Sequence, residues 1–350
     1  MSYATGVIGT SFIAENHAQA YENVEDIDLV AVADIDPSSL AEFAEKHSIP
    51  SSRTYSTHEE LLAEEALDIL SVATPSFLHH GHVIDATQSA ADPDAIWCEK
   101  PIGLSVTEGE EMIAACDDTD TELVINHQRR FADEYRALRR QIHDENLLGE
   151  IEAVHSHSPR ELLRNGTHTV DLLMFLLDSM GAEVMGYITE ERGLGSQSGT
   201  DEEVTFDDAG GGGTIVTEDQ KFVTIDQTTP RPVSKGRKEF VGSEGMLMMP
   251  GDSEWSYWRL EENEEGSYGT SHVETPIPPE LTKTSGQAKF DNGARHIVNL
   301  IDGDMENLSS GEDATHVLEI IVAMFLSHYT GSRVSLPLDR PLRDIRILSG

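Results

Sequence analysis

The sequence predicts an α/β protein that combines a doubly wound parallel sheet with a second, α+β domain containing an open, mostly antiparallel sheet. In the first 124 residues, short strands that are apolar throughout alternate with helices, as in parallel sheets covered on both faces. After Asn126, segments of alternating polarity are separated by Gly- and Asp-rich turns, which is typical of antiparallel sheets. Because 350 residues exceed the usual size of one hydrophobic core, we expect two domains, 1–124 and 125–350.

Apolar runs and capping residues locate the elements of the first domain. Ser38 or Ser39 is expected to cap one helix, and Thr57 is expected to cap the next. The predicted elements are strands at 5–9, 29–33 and 69–73 and helices at about 13–21, 38–46 and 57–65.

The second domain is predicted from shorter alternating segments interrupted by helices. The strands are expected at 151–157, 184–189, 222–226, 239–241 and 246–249. The helices are expected at about 132–145, 167–177, 288–301 and 312–328.

The formal charge of −40 is spread along the whole chain, which indicates a property of the entire surface. We interpret it as an adaptation to high salt, because at about 1 M ionic strength the Debye length falls to about 3 Å and screens such repulsion. Nucleic acid is excluded as a partner by this charge. With two cysteines and no apolar run of about 18 residues, we expect a cytoplasmic protein with neither a membrane span nor a signal peptide.

The segment Gly9–Ala14 follows the first predicted strand and opens a helix, where a dinucleotide-binding turn belongs. Gly9 would permit the tight turn, and the amides of the helix terminus would face a pyrophosphate. Ser11 stands at the middle glycine position of the fingerprint and offers a hydroxyl instead. The expected cofactor contacts in this segment are Gly9, Thr10, Ser11, Phe12 and Ile13; the alternative is an ordinary glycine turn.

Asp34 ends the second predicted strand, 25 positions after Gly9. A carboxylate near this spacing accepts hydrogen bonds from the adenosine ribose and would repel a ribose phosphate. With no arginine directly after the strand, NAD is favoured, and NADP is the alternative cofactor. The alternative role of Asp34 is to begin a turn before Pro37.

Further along, ordered motifs resemble the glucose-fructose oxidoreductase, inositol dehydrogenase and MocA family (Gfo/Idh/MocA). The tripeptide Glu99-Lys100-Pro101 looks like the hallmark of that family, and the likeness spans nearly the whole chain. The other matching segments are 74–79, Arg130-Phe131, 148–151, 166–171, 241–245 and 334–338. The resemblance implies an NAD(P)-binding Rossmann domain and a second domain that shapes the substrate pocket and mediates oligomerisation, as a dimer or tetramer.

By this resemblance, Lys100 and His168 are the catalytic residues. Oxidation of a secondary alcohol needs a base for the hydroxyl proton, which His168 would supply, and a cation for the developing negative charge, which Lys100 would supply. The remaining residues expected at the site are Thr74, Pro75, His79 and Glu99 at the cofactor and Arg130, Asn165 and Asp171 at the substrate.

Lys100 and His168 each also have a purely structural alternative. Taken alone, Lys100 could be an ordinary helix-start lysine and His168 a capping or core histidine. His155 and His157 lie on the same face of a predicted strand and could suggest a metal site. No carboxylate is expected to converge on them, so we predict no metal site.

The departure from the family pattern is Arg164. Polyol-oxidising relatives commonly have an Asp four residues before the catalytic histidine, and this position is Arg164 here. We expect Arg164 to bind a carboxylate or phosphate of the substrate, because guanidinium matches such groups in bidentate fashion. Arg160 could cooperate.

The sequence thus predicts a dehydrogenase that moves a hydride between nicotinamide and a secondary alcohol of a sugar, inositol, sugar acid or sugar nucleotide. One alternative is a non-catalytic sensor of sugar or dinucleotide with the same fold. Another is a sugar–sugar oxidoreductase that keeps its cofactor tightly bound.

Overall fold

A computed structural model describes residues 2–159, 161–189, 204–229, 236–251, 254–262, 270–284 and 286–348. Contacts divide the chain into two compact units. Unit 1 comprises Met1–Ala132 and Thr284–Thr315, and unit 2 comprises Asp133–Lys283 and His316–Gly350. Residues 284–315 therefore group with the first part of the chain, which the sequence patterns did not indicate. The boundary at 124/125 stays a prediction.

The strands are numbered along the chain. They are β1 Tyr3–Ile8, β2 Ile27–Ala33, β3 Thr54–Tyr55, β4 Ile69–Val72, β5 Ala95–Cys98, β6 Glu122–Ile125, β7 Ile151–Pro159, β8 Gly181–Ile188, β9 Thr205–Asp207, β10 Gly211–Thr217, β11 Phe222–Thr229, β12 Arg237–Gly242, β13 Gly245–Pro250, β14 Ser256–Glu262, β15 Thr270–Thr275, β16 Val334–Ser335 and β17 Arg346–Leu348.

The α-helices are numbered in the same way. They are α1 Phe12–Asn23, α2 Pro37–Lys46, α3 His58–Glu64, α4 His79–Thr87, α5 Val106–Asp117, α6 Asp133–His143, α7 Thr167–Leu177, α8 Ala288–Ile301, α9 Gly311–Thr330 and α10 Arg340–Arg343. No helix in the described part of the chain is both long and apolar enough to cross a membrane.

Unit 1 contains a six-stranded sheet in the order β3-β2-β1-β4-β5-β6, with every neighbouring pair parallel. This confirms the predicted doubly wound sheet. The order reverses between β1 and β4, and at such a switch point the loops after the two strands part to leave a crevice.

Two helix caps were predicted, and one of them was wrong. Thr57 caps α3 as expected, since its hydroxyl accepts from the Glu60 amide at 3.3 Å. The cap of α2 is Asp36, whose carboxylate accepts from the amides of Ser38 and Ser39 at 2.9 and 3.4 Å. The prediction of Ser38 or Ser39 failed because Pro37 suits the first helical position and moves the start of the helix forward.

The core of unit 1 includes residues from both of its chain segments. Trp97 on β5 and Phe131 are fully buried, and Phe290 and Ala294 of α8 belong to the same cluster. Gly293 makes the packing of α8 possible, because a Cβ there would lie 2.9 Å from Trp97 and 3.3 Å from Phe131.

Unit 2 contains a nine-stranded sheet in the order β15-β14-β13-β12-β7-β11-β10-β8-β16. β7 and β11 are parallel and the other neighbours are antiparallel, which confirms a mostly antiparallel sheet. β9 and β17 form a separate parallel pair. The sequence analysis missed β10, which begins at Gly211; a Cβ at Gly213 would lie 2.1 Å from the Met185 carbonyl of the neighbouring strand.

We predict that Gly293→Ala destabilises unit 1 whereas Gly81→Ala does not. Alanine improves helix propensity by about 1 kcal/mol at either position. At Gly293 the methyl group must displace two buried rings, and overpacking of this kind costs about 1–3 kcal/mol. Gly81 lies on α4, and a Cβ added there would meet no heavy atom within 4 Å, so it is the matched control.

Urea denaturation in molar KCl measures both variants. We expect a lower midpoint for Gly293→Ala and an unchanged or higher midpoint for Gly81→Ala. Equal midpoints for the two variants would contradict the packing assigned to α8.

Candidate active site

Gly9 forms the turn between β1 and α1 in a conformation suited to glycine. Its φ is +97°, and a Cβ would lie 2.6 Å from the carbonyl oxygen of Ala73. The hydroxyl of Ser11 donates to the same carbonyl at 3.3 Å and does not cap α1. The amino end of α1 thus keeps amides and a helix dipole suited to an anion, and the space beside Gly9 is one that a side chain would fill. These residues fit a dinucleotide pyrophosphate.

Asp34 ties the end of β2 to this glycine turn. Its carboxylate accepts from the amide and the hydroxyl of Thr10, both at 2.7 Å, and from the Asp36 amide at 2.8 Å. The turn-forming role expected as the alternative is therefore present. Oδ2 accepts both bonds from Thr10 and Oδ1 accepts one from Asp36, so Oδ1 retains acceptor capacity for a ribose hydroxyl.

Three exposed apolar side chains follow the carboxyl ends of the adjacent strands β2, β1 and β4. They are Ile35, Phe12 and Phe77, with exposed fractions of 85, 84 and 59%. Exposed apolar surface at a switch point suits the planar rings of a dinucleotide. Ile35 and Phe77 were missed by the sequence analysis, although an apolar residue directly after a strand was a usable signal. Ile13, by contrast, packs partly buried against the core.

His79 joins the loop after β4 to the loop after β5. The side chain is buried, and its ring nitrogens lie 2.9 Å from the Thr74 carbonyl and 2.8 Å from the Pro101 carbonyl. Burial lowers the pKa of His79, opposed by these two carbonyls. His79 therefore holds the backbone of Thr74 and Pro101 from a buried position, and its expected contact with the cofactor stays a prediction.

Glu99 and Lys100 follow β5 directly. Glu99 is 4% exposed and accepts from His17 at 3.1 Å and from Asn126 at 2.5 Å. Burial raises the pKa of Glu99, but hydrogen bonds from His17 and Asn126 and the charge of Lys100 outweigh it and hold the pKa below its usual value. Lys100 is half-buried, and its bond to Pro101 is cis.

Arg130 is placed differently from the expected substrate contact. The residue is 4% exposed, and its guanidinium donates to the Leu308 carbonyl at 3.0 Å and to Asp313 at 2.6 Å. Removing Asp313 would leave this buried guanidinium with an uncompensated charge. These contacts place Arg130 inside unit 1, and its expected contact with the substrate stays a prediction.

In unit 2, His168 lies in the first turn of α7. The other ten residues of α7 are buried, whereas His168 is half-buried. Asp171 lies one turn later and is 1% exposed, so its carboxyl group faces the interior of unit 2. The sequence thus presents the imidazole of His168 at the surface of an otherwise buried helix.

The turn before α7 is fixed by Asp208, which the sequence analysis missed. Its carboxylate accepts from the amides of Leu163 and Arg164 at 2.9 and 2.8 Å, and burial raises its pKa to about 6. The Arg164 residue is exposed, and the Asn165 side chain donates to Glu161. Arg160 lies outside the described residues.

The histidines of β7 have partners of their own. His157 pairs with Asp226 at 2.8 Å, and His155 bonds to the Thr224 hydroxyl at 2.7 Å. Within the described ranges, no group of three or more His, Cys, Asp or Glu side chains is arranged to hold a metal ion.

Comparison with known proteins agrees with this geometry. Residues 3–127 match the oxidoreductase family with an NAD-binding Rossmann fold, and residues 157–336 match the C-terminal α/β domain of the same family, Gfo/Idh/MocA. D-apiose dehydrogenase of Paraburkholderia graminis is 26% identical over 94% of this chain and 88% of that protein. D-glucoside 3-dehydrogenase of Escherichia coli is 22% identical over 94% of this chain and 96% of that protein.

A solved structure of similar fold is the WlbA dehydrogenase of Bordetella pertussis in complex with NADH and UDP-GlcNAcA. It is 20% identical, covers 97% of this chain and 100% of its own, and superposes with a TM-score of 0.75. The two family matches confirm the resemblance drawn from Glu99-Lys100-Pro101 and its companion motifs. The chain belongs to the Gfo/Idh/MocA family and is an NAD(P)-dependent oxidoreductase acting on CH–OH groups.

Proposed function

We propose that this enzyme oxidises a secondary alcohol of a sugar, inositol, sugar acid or sugar nucleotide, with His168 as base and Lys100 as the cation at the reacting oxygen. The observation that carries the proposal is Lys100, half-buried at the carboxyl edge of a dinucleotide-binding sheet and next to the buried carboxylate of Glu99. The names of the D-apiose and D-glucoside dehydrogenases point to the same substrate class.

The chemistry divides between two side chains. His168 accepts the hydroxyl proton, a task that suits an imidazole because its ordinary pKa lies near neutrality. Lys100 donates a hydrogen bond to the same oxygen and stabilises negative charge as the proton leaves. NAD supplies the hydride acceptor when it is bound.

Gly9, Thr10, Ser11, Phe12, Asp34, Thr74 and Pro75 are proposed to hold the cofactor, with Ile35 and Phe77 covering its rings. The uncapped amino end of α1 supports the pyrophosphate position. Asp34 is proposed to accept hydrogen bonds from the adenosine ribose, and its charge favours NAD over NADP.

Arg164 is proposed to select an anionic substrate. It is exposed, it precedes His168 by four residues, and its backbone is fixed by Asp208 at 2.8 Å. A guanidinium on a fixed turn matches a carboxylate or phosphate in bidentate fashion. Asn165 is proposed to contact the substrate beside Arg164. The substrate contact expected of Asp171 stays a prediction, since this residue is 1% exposed.

We also propose a domain division at 124/125, a homodimeric or homotetrameric assembly, and a cytoplasmic setting of high salt. The free, buried thiols of Cys98 and Cys116 suit a reducing compartment. The net charge of −40 suits a medium that screens repulsion.

The direct test is NADH absorbance with a panel of sugars, inositols and sugar acids in molar KCl. We expect activity with at least one member. NAD binding without turnover of any member would instead support a sensor, and oxidation balanced by reduction without free NADH would support a sugar–sugar oxidoreductase.

We expect His168→Gln to lower kcat by about 10²–10⁴, the usual contribution of a positioned base. Lys100→Met should lower kcat by about 10²–10³, because it removes a donor to the developing charge. His155→Gln, which changes an exposed histidine of β7, is the matched control and should retain wild-type kcat. Near-wild-type turnover by His168→Gln would refute the assigned base.

We expect Arg164→Ala to raise KM for carboxylate- or phosphate-bearing substrates by about 10-fold or more, because a charge-assisted hydrogen bond is worth about 1.5–3 kcal/mol. Neutral sugars should be little affected. Arg140→Ala, at an exposed position of α6, is the control. An unchanged KM for every anionic substrate would exclude this role.

The charge of −40 predicts that KCl raises thermal stability between about 0.2 M and 2 M, since the Debye length shrinks from about 7 Å to about 3 Å or less. Each kcal/mol of relieved repulsion should raise Tm by about 2–4 °C. Sucrose at equal osmolality is the control, because it strengthens burial without screening charge. A KCl effect no larger than the sucrose effect would contradict the assignment.

A further inference from the structure

A line of buried polar side chains in unit 1 leads to the residue before Lys100. The Tyr21 hydroxyl lies 2.5 Å from the Ser71 hydroxyl, which lies 2.9 Å from Nδ1 of His17. Nε2 of His17 lies 3.1 Å from Oε1 of Glu99, and Asn126 donates to the same oxygen at 2.5 Å. Tyr21, Ser71, His17 and Asn126 are 0% exposed, so water does not reach the line.

The direction of each hydrogen bond follows from Glu99. An ionised carboxylate only accepts, so Nε2 of His17 carries the hydrogen that faces Glu99. With a neutral ring, Nδ1 then accepts from Ser71, and Ser71 accepts from Tyr21. A cationic ring would donate from both nitrogens and leave one hydroxyl hydrogen of the Ser71–Tyr21 pair without an acceptor. The neutral ring with hydrogen on Nε2 therefore gives the ring hydrogen of His17 and the hydroxyl hydrogens of Ser71 and Tyr21 an acceptor each. Nδ2 of Asn126 lies 3.1 Å from the same Nε2 and donates to Glu99.

The ring of His17 is also clamped by packing. Trp97, on β5 two residues before Glu99, stacks on it with centroids 3.9 Å apart and planes 29° apart. Tyr21 meets the edge of the same indole at 5.9 Å. The orientation of His17 is thus determined by both hydrogen bonds and a ring contact.

We propose, on the basis of the proposed function, that His17 is a positioning residue that fixes Glu99 and thereby Lys100 to helix α1. Helix α1 carries the candidate pyrophosphate site at its amino end, and His17 lies in its second turn. The link makes the helix that receives the cofactor and the segment that carries the catalytic lysine one rigid piece.

This role differs from simple support of the core. A misplacement of about 1 Å at a reacting group costs about 10²-fold in rate, so a loosened Lys100 lowers kcat more than it changes binding. Glutamine can replace both nitrogens of His17, because its carbonyl can accept from Ser71 while its amide donates to Glu99. Leucine can do neither.

The experiment compares His17→Leu and His17→Gln with wild type in molar KCl. We expect His17→Leu to lower kcat by about 10–100-fold with KM for the sugar changed by less than about 3-fold, and His17→Gln to recover most of the loss. Matched controls are His47→Leu and His47→Gln, since His47 also bonds to carboxylates of α1, Glu15 and Glu22, at 3.0 and 2.7 Å. Both controls should keep wild-type kcat.

Two readouts do not depend on turnover. The chain has seven lysines, so a spectrum of ¹³Cε-labelled lysine can resolve Lys100, identified by Lys100→Arg. Its resonance should move in His17→Leu and return in His17→Gln. Nitrogen-15 spectra of the histidine rings should show His17 neutral with hydrogen on Nε2. Ser71→Ala, a milder change in the same line, should move the Lys100 resonance in the same direction if His17→Leu does not fold.

The possible outcomes distinguish failure of the proposed function from failure of the positioning role of His17. A wild-type protein that oxidises no member of the panel contradicts the proposed function. An active wild type whose kcat and Lys100 resonance are unchanged in His17→Leu overturns the positioning role alone. A Lys100 resonance that moves equally in the His47 variants also overturns it, because the effect would then be general to α1.

Discussion

The close approach of Gly9 to the Ala73 carbonyl is the contact on which the candidate cofactor site depends. A Cβ at Gly9 would lie 2.6 Å from that oxygen, so only glycine lets the loops after β1 and β4 meet at this distance. Ser11 donates to the same carbonyl and leaves the helix terminus uncapped. Asp34 then holds the neighbouring Thr10 through two hydrogen bonds. The switch point is therefore defined by backbone proximity, with polar side chains fixing its edges.

Buried polar groups also fix the segment after β5, which contains Glu99 and the proposed catalytic residue Lys100. An ionised Glu99 inside unit 1 is costly unless donors surround it. His17 and Asn126 supply those donors, and the Lys100 charge lowers the pKa of the carboxyl group further. His79 connects the loops on either side of the same edge. A surface crowded with acidic residues thus coexists with an interior in which the carboxylate of Glu99 is held by specific partners.

The parallel sheet could be predicted from the sequence because each of its strands is buried on both faces and therefore appears as a continuous apolar run between helices. Residues 284–315 were not assigned to unit 1, since periodicity locates α8 but does not say which core it packs against. β10 was missed because glycines carry no polarity pattern. Arg130 matched a family motif, yet its partner Asp313 lies far away in sequence, so its burial required the structure. Asp208 was missed for the same reason.

Asp208 holds the turn before α7 without a regular capping residue. Burial raises the pKa of this carboxyl group to about 6, and the nearby charge of Glu161 adds to the effect, while the amides of Leu163 and Arg164 oppose it. The ionised form accepts both amides, and the protonated form converts one oxygen into a donor and weakens this arrangement. The turn that carries Arg164 is therefore better defined above that pKa than below it. His168, the proposed base, can accept a proton only when its imidazole is neutral, so raising the pH favours both the ionised Asp208 and the proposed base.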